Sequence, residues 1–147
     1  MENDNEDFRP DKDSYYLNIA KSVSERSTCY YWKSGAVIVK KNGIIAGTGY
    51  CGSTNGSPHC KATGVCPFES EYGTVPDGSQ TNCLGVHAEI NAMLRSDFES
   101  MDGATLYLYC FNRKTKEEVP LEPDGLTSRM LCNCGIKRIV TGRDSVE

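Results

Sequence analysis

The stretch Gly85-Val86-His87-Ala88-Glu89-Ile90-Asn91-Ala92-Met93-Leu94 (GVHAEINAML) holds one of the chain's two histidines. A His-x-Glu at the start of a helical pattern points to a metal-held water with a carboxylate beside it. One histidine cannot hold a metal alone, so other segments must supply further donors. Val86, Ile90, Met93 and Leu94 recur at helical spacing and mark an amphipathic helix.

Outward from this helix the pattern alternates. Upstream, Tyr50 to Leu84 is rich in Gly, Ser, Thr, Pro and Cys and has no periodicity. A loop of that length is rare inside a compact domain, and it needs support other than a hydrophobic core. Before it, GAVIV and IIAGTGY flank Lys41-Asn42-Gly43, which predicts a β-hairpin. Before that, Tyr16, Ile19, Ala20 and Val23 predict a helix capped by Asp11 or Asp13. Downstream, Ala104 to Phe111 (ATLYLYCF) is rich in strand formers. After a polar connection, Thr127, Met130, Leu131 and Cys134 share one helical face, Gly135 stops that helix, and IKRIV forms a last strand. Helix, two strands, helix, strand, helix, strand predicts a layered α/β domain whose later strands run parallel.

The chain has 147 residues, 38% hydrophobic and 24% charged, which suits one domain. Residues 1–9 are expected to be a disordered acidic tail, with one domain over 10–147. The net charge of −4 argues against non-specific binding to nucleic acid or to an anionic membrane. It leaves room for a small anionic substrate held by a few local cations. The start MENDNEDF has no apolar core, so it does not read as a signal peptide. No apolar run approaches the roughly 20 residues that span a bilayer, and the cytoplasm is the expected location. Eight cysteines, at 29, 51, 60, 66, 83, 110, 132 and 134, then read as metal ligands or as small buried apolar groups.

Several segments together resemble the zinc-dependent cytidine and deoxycytidylate deaminases, the deoxycytidylate branch most closely. They are RPDKDSYYLNIAKSVSERSTCYYWKSGAVIVK, GIIAGTGY, PHC, GVHAEINAM, GATLYLY and GIKRIV, and they cover most of Arg9 to Val140. The resemblance implies a three-layer α-β-α domain with a mixed central sheet. It implies hydrolytic deamination of dCMP, or of a related cytosine nucleotide, to the uracil form. In that family a zinc with three protein ligands binds the attacking water, and the glutamate moves protons. His87 is then the zinc ligand and Glu89 the proton shuttle.

The other half of the family signature, Pro-Cys-x-x-Cys, falls on Pro123-Asp124-Gly125-Leu126-Thr127. Asp124 and Thr127 therefore stand at the two cysteine positions. Asp124 can be read as a replacement ligand or as a plain helix cap, and Thr127 as a poor ligand or as a filler on the buried face. Cys132 is eight residues from Asp124, roughly 12 Å along a helix, too far to share one zinc. Cys110 ends the strand that leads toward the site, but no spacing rule supports it as a ligand. Cys51 stands where the family has an Asn that contacts the nucleotide sugar, and Asn91 is a further candidate for substrate contact.

The resemblance also implies a second, structural zinc on Cys29, Cys60, Cys66 and Cys83, with His59 as an alternate, which would order the long loop. It implies a homo-oligomer. Seven residues follow Val140, so the final strand of many relatives is expected to be missing. Two functional readings remain: a cytosine-nucleotide deaminase, or a deaminase-fold module that has lost its catalytic zinc and binds a nucleotide or a partner.

Overall fold

A computed structural model describes residues 8–29, 31–53, 55, 85–142 and 144–146. Asp11, not Asp13, caps the first helix, α1 (Lys12–Ser24), by accepting a hydrogen bond from the Ser14 N–H. Asp13 instead reaches across the domain to Arg138 and the Tyr107 hydroxyl. Of the tail expected over residues 1–9, only 8 and 9 are described, and both are exposed.

The hairpin forms as expected. Strands β1 (Trp32–Val39) and β2 (Ile45–Tyr50) pair antiparallel. Their turn is closed by Gly43 N–H to Lys40 O and by Ile44 N–H to the Asn42 side chain. Two short strands follow, β3 (Gly52–Ser53) and β4 (Gly85–Val86), which pair with each other at the two ends of the long loop. Val86 is thus a strand residue and not part of the helical face expected for it. Next come α2 (Ala88–Leu94), a 3-10 turn (Phe98–Met101), β5 (Thr105–Asn112), α3 (Gly125–Asn133), β6 (Arg138–Thr141) and β7 (Asp144–Val146).

The main sheet has the order β2-β1-β5-β6-β7. It is mixed: β1 pairs antiparallel with β2 and β5, β5 and β6 are parallel across the α3 connection, and β7 returns antiparallel to β6. The chain does go on to a strand after β6, contrary to expectation. Gly142, at φ +50°, lets it reverse within a few residues and pair Val146 with Ile139.

Alternation along the strands makes the three layers. Val37, Val39, Tyr107 and Val140 face α1 and pack with Ala20, Tyr16 and Val23. Ala36, Ile38, Leu106 and Leu108 face the other way and pack with Ala88, Ala92, Met93 and Leu131 of α2 and α3. The buried stripe of α2 is Ala88, Glu89, Ala92 and Met93, while Leu94 is 75% exposed. Met130 of α3 is likewise exposed, and Thr127 and Leu131 carry its buried face. None of the described helices is long and apolar enough to cross a membrane.

Candidate active site

The placement of α2 starts with two glycines of β2. A Cβ on Gly49 would fall inside contact distance of Ala92 N and Ala88 O, and one on Gly47 would collide with the Ser96 side chain and meet Ala92 O. The helix backbone therefore lies almost directly on the strand, and only small residues such as Ala88 and Ala92 fit between them. This close packing explains why Leu94 is turned outward. It also fixes the N-terminus of α2 over the end of β2.

His87 is the N-cap residue of α2, with φ −63° and ψ 151°, and its side chain makes no capping bond. Its ring is free of that task and faces the start of α3. Glu89, two residues on, is only 2% exposed. Burial raises the Glu89 carboxyl above the ordinary carboxylate range. His87 pulls it back, and the Asp124 charge pushes it further up.

Asp124 caps α3: its Oδ1 accepts the Thr127 N–H at 2.8 Å. That bond is the main reason its carboxyl lies below the ordinary range. The Thr127 hydroxyl and His87 act in the same direction, and burial opposes them. The other oxygen, Oδ2, lies 3.8 Å from His87 Nδ1. The cap and the contact with His87 therefore coexist on the two oxygens of one carboxylate. Thr127 is 1% exposed, filling the buried face as expected.

The donor chemistry decides how well a zinc fits here. Two ligands of one tetrahedral zinc, each about 2 Å from the ion, lie about 3.4 Å apart. The His87–Asp124 separation is close to that, so this pair could share an ion. Among the described residues no third donor stands with them. The Thr127 hydroxyl is neutral and a poor zinc donor. Among the described residues, no group of three His, Cys, Asp or Glu side chains is arranged to hold a metal. The described residues do not complete a three-ligand zinc site.

The other described cysteines do not fill the gap. Cys110 is 3% exposed, opposite Ser34 in the sheet. Burial pushes its thiol up to about 12, with Cys29 and Glu89 adding to the effect, so it stays neutral. Cys132 is exposed, and the Cys134 sulfur lies 3.9 Å from that of Met93. Cys51 is half-buried just past β2, and its carbonyl accepts from Thr28 N–H and the Ser27 hydroxyl. Cys29 accepts the Trp32 N–H at 3.5 Å. His59, Cys60, Cys66 and Cys83 lie outside the described residues. Asn91 is half-buried, and its side-chain amide donates to Tyr50 O at 2.9 Å and to Val86 O at 3.4 Å. The structure adds two cations that sequence spacing did not single out. Arg26 and Arg95 each hold a guanidinium 6.0 Å from the centre of the Tyr50 ring. They lie 69 positions apart in the chain, so no local pattern could join them.

Residues 10–143 match the family profile described as the cytidine and deoxycytidylate deaminase zinc-binding region. The chain belongs to this deaminase family. It is 37% identical over 142 residues to the deoxycytidylate deaminase of Mycobacterium phage D29, covering 93% of this chain and 98% of that protein. It is 30% identical over 164 residues to the deoxycytidylate deaminase of Enterobacteria phage T4, covering 88% of this chain and 76% of that protein. Among solved structures, the dCMP deaminase of cyanophage S-TIM5 in complex with dCMP and dUMP superposes with a TM-score of 0.62 at 26% identity, covering 90% of this chain and 82% of that one. The three-layer fold is therefore the deaminase fold.

Proposed function

We propose that this deaminase-family chain hydrolyses dCMP, or a closely related cytosine nucleotide, to the uracil form with release of ammonia. The observation that carries this reading is Glu89: a carboxyl buried two residues after His87 at a helix start. In the reaction water adds at C4 of the cytosine ring, a proton passes to ring N3, and the C4 amino group leaves as ammonia. Glu89 takes the proton from the attacking water, delivers it to N3, and serves the leaving nitrogen in the same way. The raised affinity of Glu89 for a proton suits that relay. The Asp124 carboxylate lies 3.8 Å from His87 Nδ1. Arg26 and Arg95, flanking Tyr50 just before Cys51, are the cations available to a nucleotide phosphate.

The same reading includes a structural zinc on Cys29, Cys60, Cys66 and Cys83, with His59 able to replace one of them. It also includes a cytoplasmic location and a homo-oligomer. The Pro123-to-Thr127 substitution of the family's two cysteines weakens the catalytic metal site, so turnover by the unmodified chain is slow. The test is conversion of dCMP to dUMP by the full chain with zinc supplied, together with zinc per chain. Slow conversion with one tightly held zinc supports the reading. Absence of both dCMP conversion and dUMP binding would overturn it.

A further inference from the structure

Asn91 lies one turn beyond His87, and its own N–H donates to His87 O at 3.0 Å. Its side-chain amide nitrogen has both of its hydrogens aimed at backbone: Tyr50 O and Val86 O. These two carbonyls come from segments otherwise joined by the two-residue β3–β4 ladder, Gly52 opposite Val86. Tyr50 ends β2 and precedes Cys51; Val86 ends β4 and immediately precedes His87. One side chain therefore ties together the strand end that leads to position 51, the peptide before His87, and the helix that carries Glu89. The Gly49 contact presses the same helix turn onto the same strand, with the Asn91 carbonyl carbon among the nearest atoms.

We propose that Asn91 is a positioning residue of the site rather than a substrate contact: it sets the gap between Cys51 and His87 in which the cytosine nucleotide would lie. An amide suits this task because it offers two donors in one plane, 2.9 and 3.4 Å from their acceptors. A carboxylate of the same shape would face two carbonyl oxygens and repel both. The inference rests on the deaminase reading for the meaning of that gap, but the gap itself can be measured without turnover.

The experiment uses Asn91→Ala and Asn91→Asp in the full chain. Alanine is the best helix former, which keeps α2 intact while removing both donors; aspartate keeps the size and inverts the polarity. The first readout is the proton NMR signal of the His87 ring. The chain has only two histidines, and a His87→Gln variant assigns them. The second is a KM-against-kcat split for dCMP, with dUMP affinity by calorimetry. Expected are a shifted His87 signal in both variants, larger for Asp, and dUMP affinity lower by on the order of tenfold, the factor carried by 1.4 kcal/mol of lost pre-organisation. An unshifted His87 signal in a folded variant overturns the positioning role, whatever the activity. Absence of dCMP turnover and dUMP binding in wild type, with a shifted signal in the variants, overturns the deaminase reading and leaves the positioning role standing.

Discussion

Changing Asp124 and Thr127 together to cysteine should convert a two-donor site into the family's three-donor one, and the structure sets the size of the effect. Asp124→Cys removes the 2.8 Å cap on Thr127 N–H and the 3.8 Å approach to His87. Loss of a capping side chain costs about 1 kcal/mol. Thr127→Cys exchanges groups of similar size at a site 1% exposed, and such swaps usually cost less than about 1.5 kcal/mol. The metal-free double variant should thus be about 1–2.5 kcal/mol less stable than wild type, or about 2–10 °C lower in Tm for a domain of this size. Zinc at 100 times its Kd returns about 2.7 kcal/mol, so the order of melting temperatures should reverse when chelator is replaced by zinc. The assay is paired melting curves, zinc per chain, and ammonia release from dCMP. Expected are one more zinc per chain than wild type, a zinc-dependent rise in Tm larger than that of wild type, and a gain in deamination. Adding Glu89→Gln should remove that gain, because attack at C4 needs the proton relay. If wild type already holds the second zinc and turns over dCMP as fast as the variant, the two-donor reasoning is refuted. If the variant binds the extra zinc without gaining rate, Cys51→Asn is the next change to make.

Asp13→Ala should lower Tm by about 4–8 °C near neutral pH, since hydrogen bonds to charged groups contribute about 2 kcal/mol at such a site. Arg138 and then the Tyr107 hydroxyl hold the Asp13 carboxyl below its ordinary range. Its contribution is therefore complete above the unfolded value of about 3.9 and is lost as pH falls through the lower folded value, so melting of wild type and variant should converge in acid. A pH-independent gap would show that packing, not charge, is responsible. Gly49→Ala should destabilise the domain by roughly 1–3 kcal/mol, because α2 must lift off the strand, and dUMP affinity should fall with it; a variant with wild-type melting would mean that the helix can move freely. Cys60→Ser or Cys83→Ser should release one zinc and lower Tm, since a structural zinc contributes several kcal/mol, up to roughly 10. Unchanged zinc content and melting would remove the structural-zinc proposal.

Much of the architecture is legible where the signal is local. A cap at Asp11 or Asp13, the Asn42-Gly43 hairpin and a strand over Ala104 to Phe111 each follow from neighbouring residues. The fate of Leu94 and Met130 does not. Helical periodicity marks an apolar stripe, but how far a helix stands from its sheet is set by the partner strand, and here that strand presents Gly47 and Gly49. The β3–β4 ladder is two residues long, too short for any period to appear. The clasp of Asp13 with Arg138 spans 125 positions and exists only once α1 lies on the sheet. For the site, His-x-Glu was readable as chemistry, but bringing Asp124 to His87 depended on family register. The double tie made by Asn91 required knowing that Tyr50 and Val86 end neighbouring strands.

The glycine floor under α2 also acts on strand pairing. Among the described strands β2 lies at the edge of the main sheet, next to β1, and an edge hairpin is free to slip unless something forbids it. In the observed register Gly47 and Gly49 oppose Ile38 and Ala36 and look toward α2, while Thr48 looks the other way. A shift by one residue would turn Thr48 and Tyr50 toward a helix backbone that leaves no room for a Cβ. The helix thus checks the alignment of the hairpin before the site can assemble. A strand with almost no side chains on one face is for that reason held to one register.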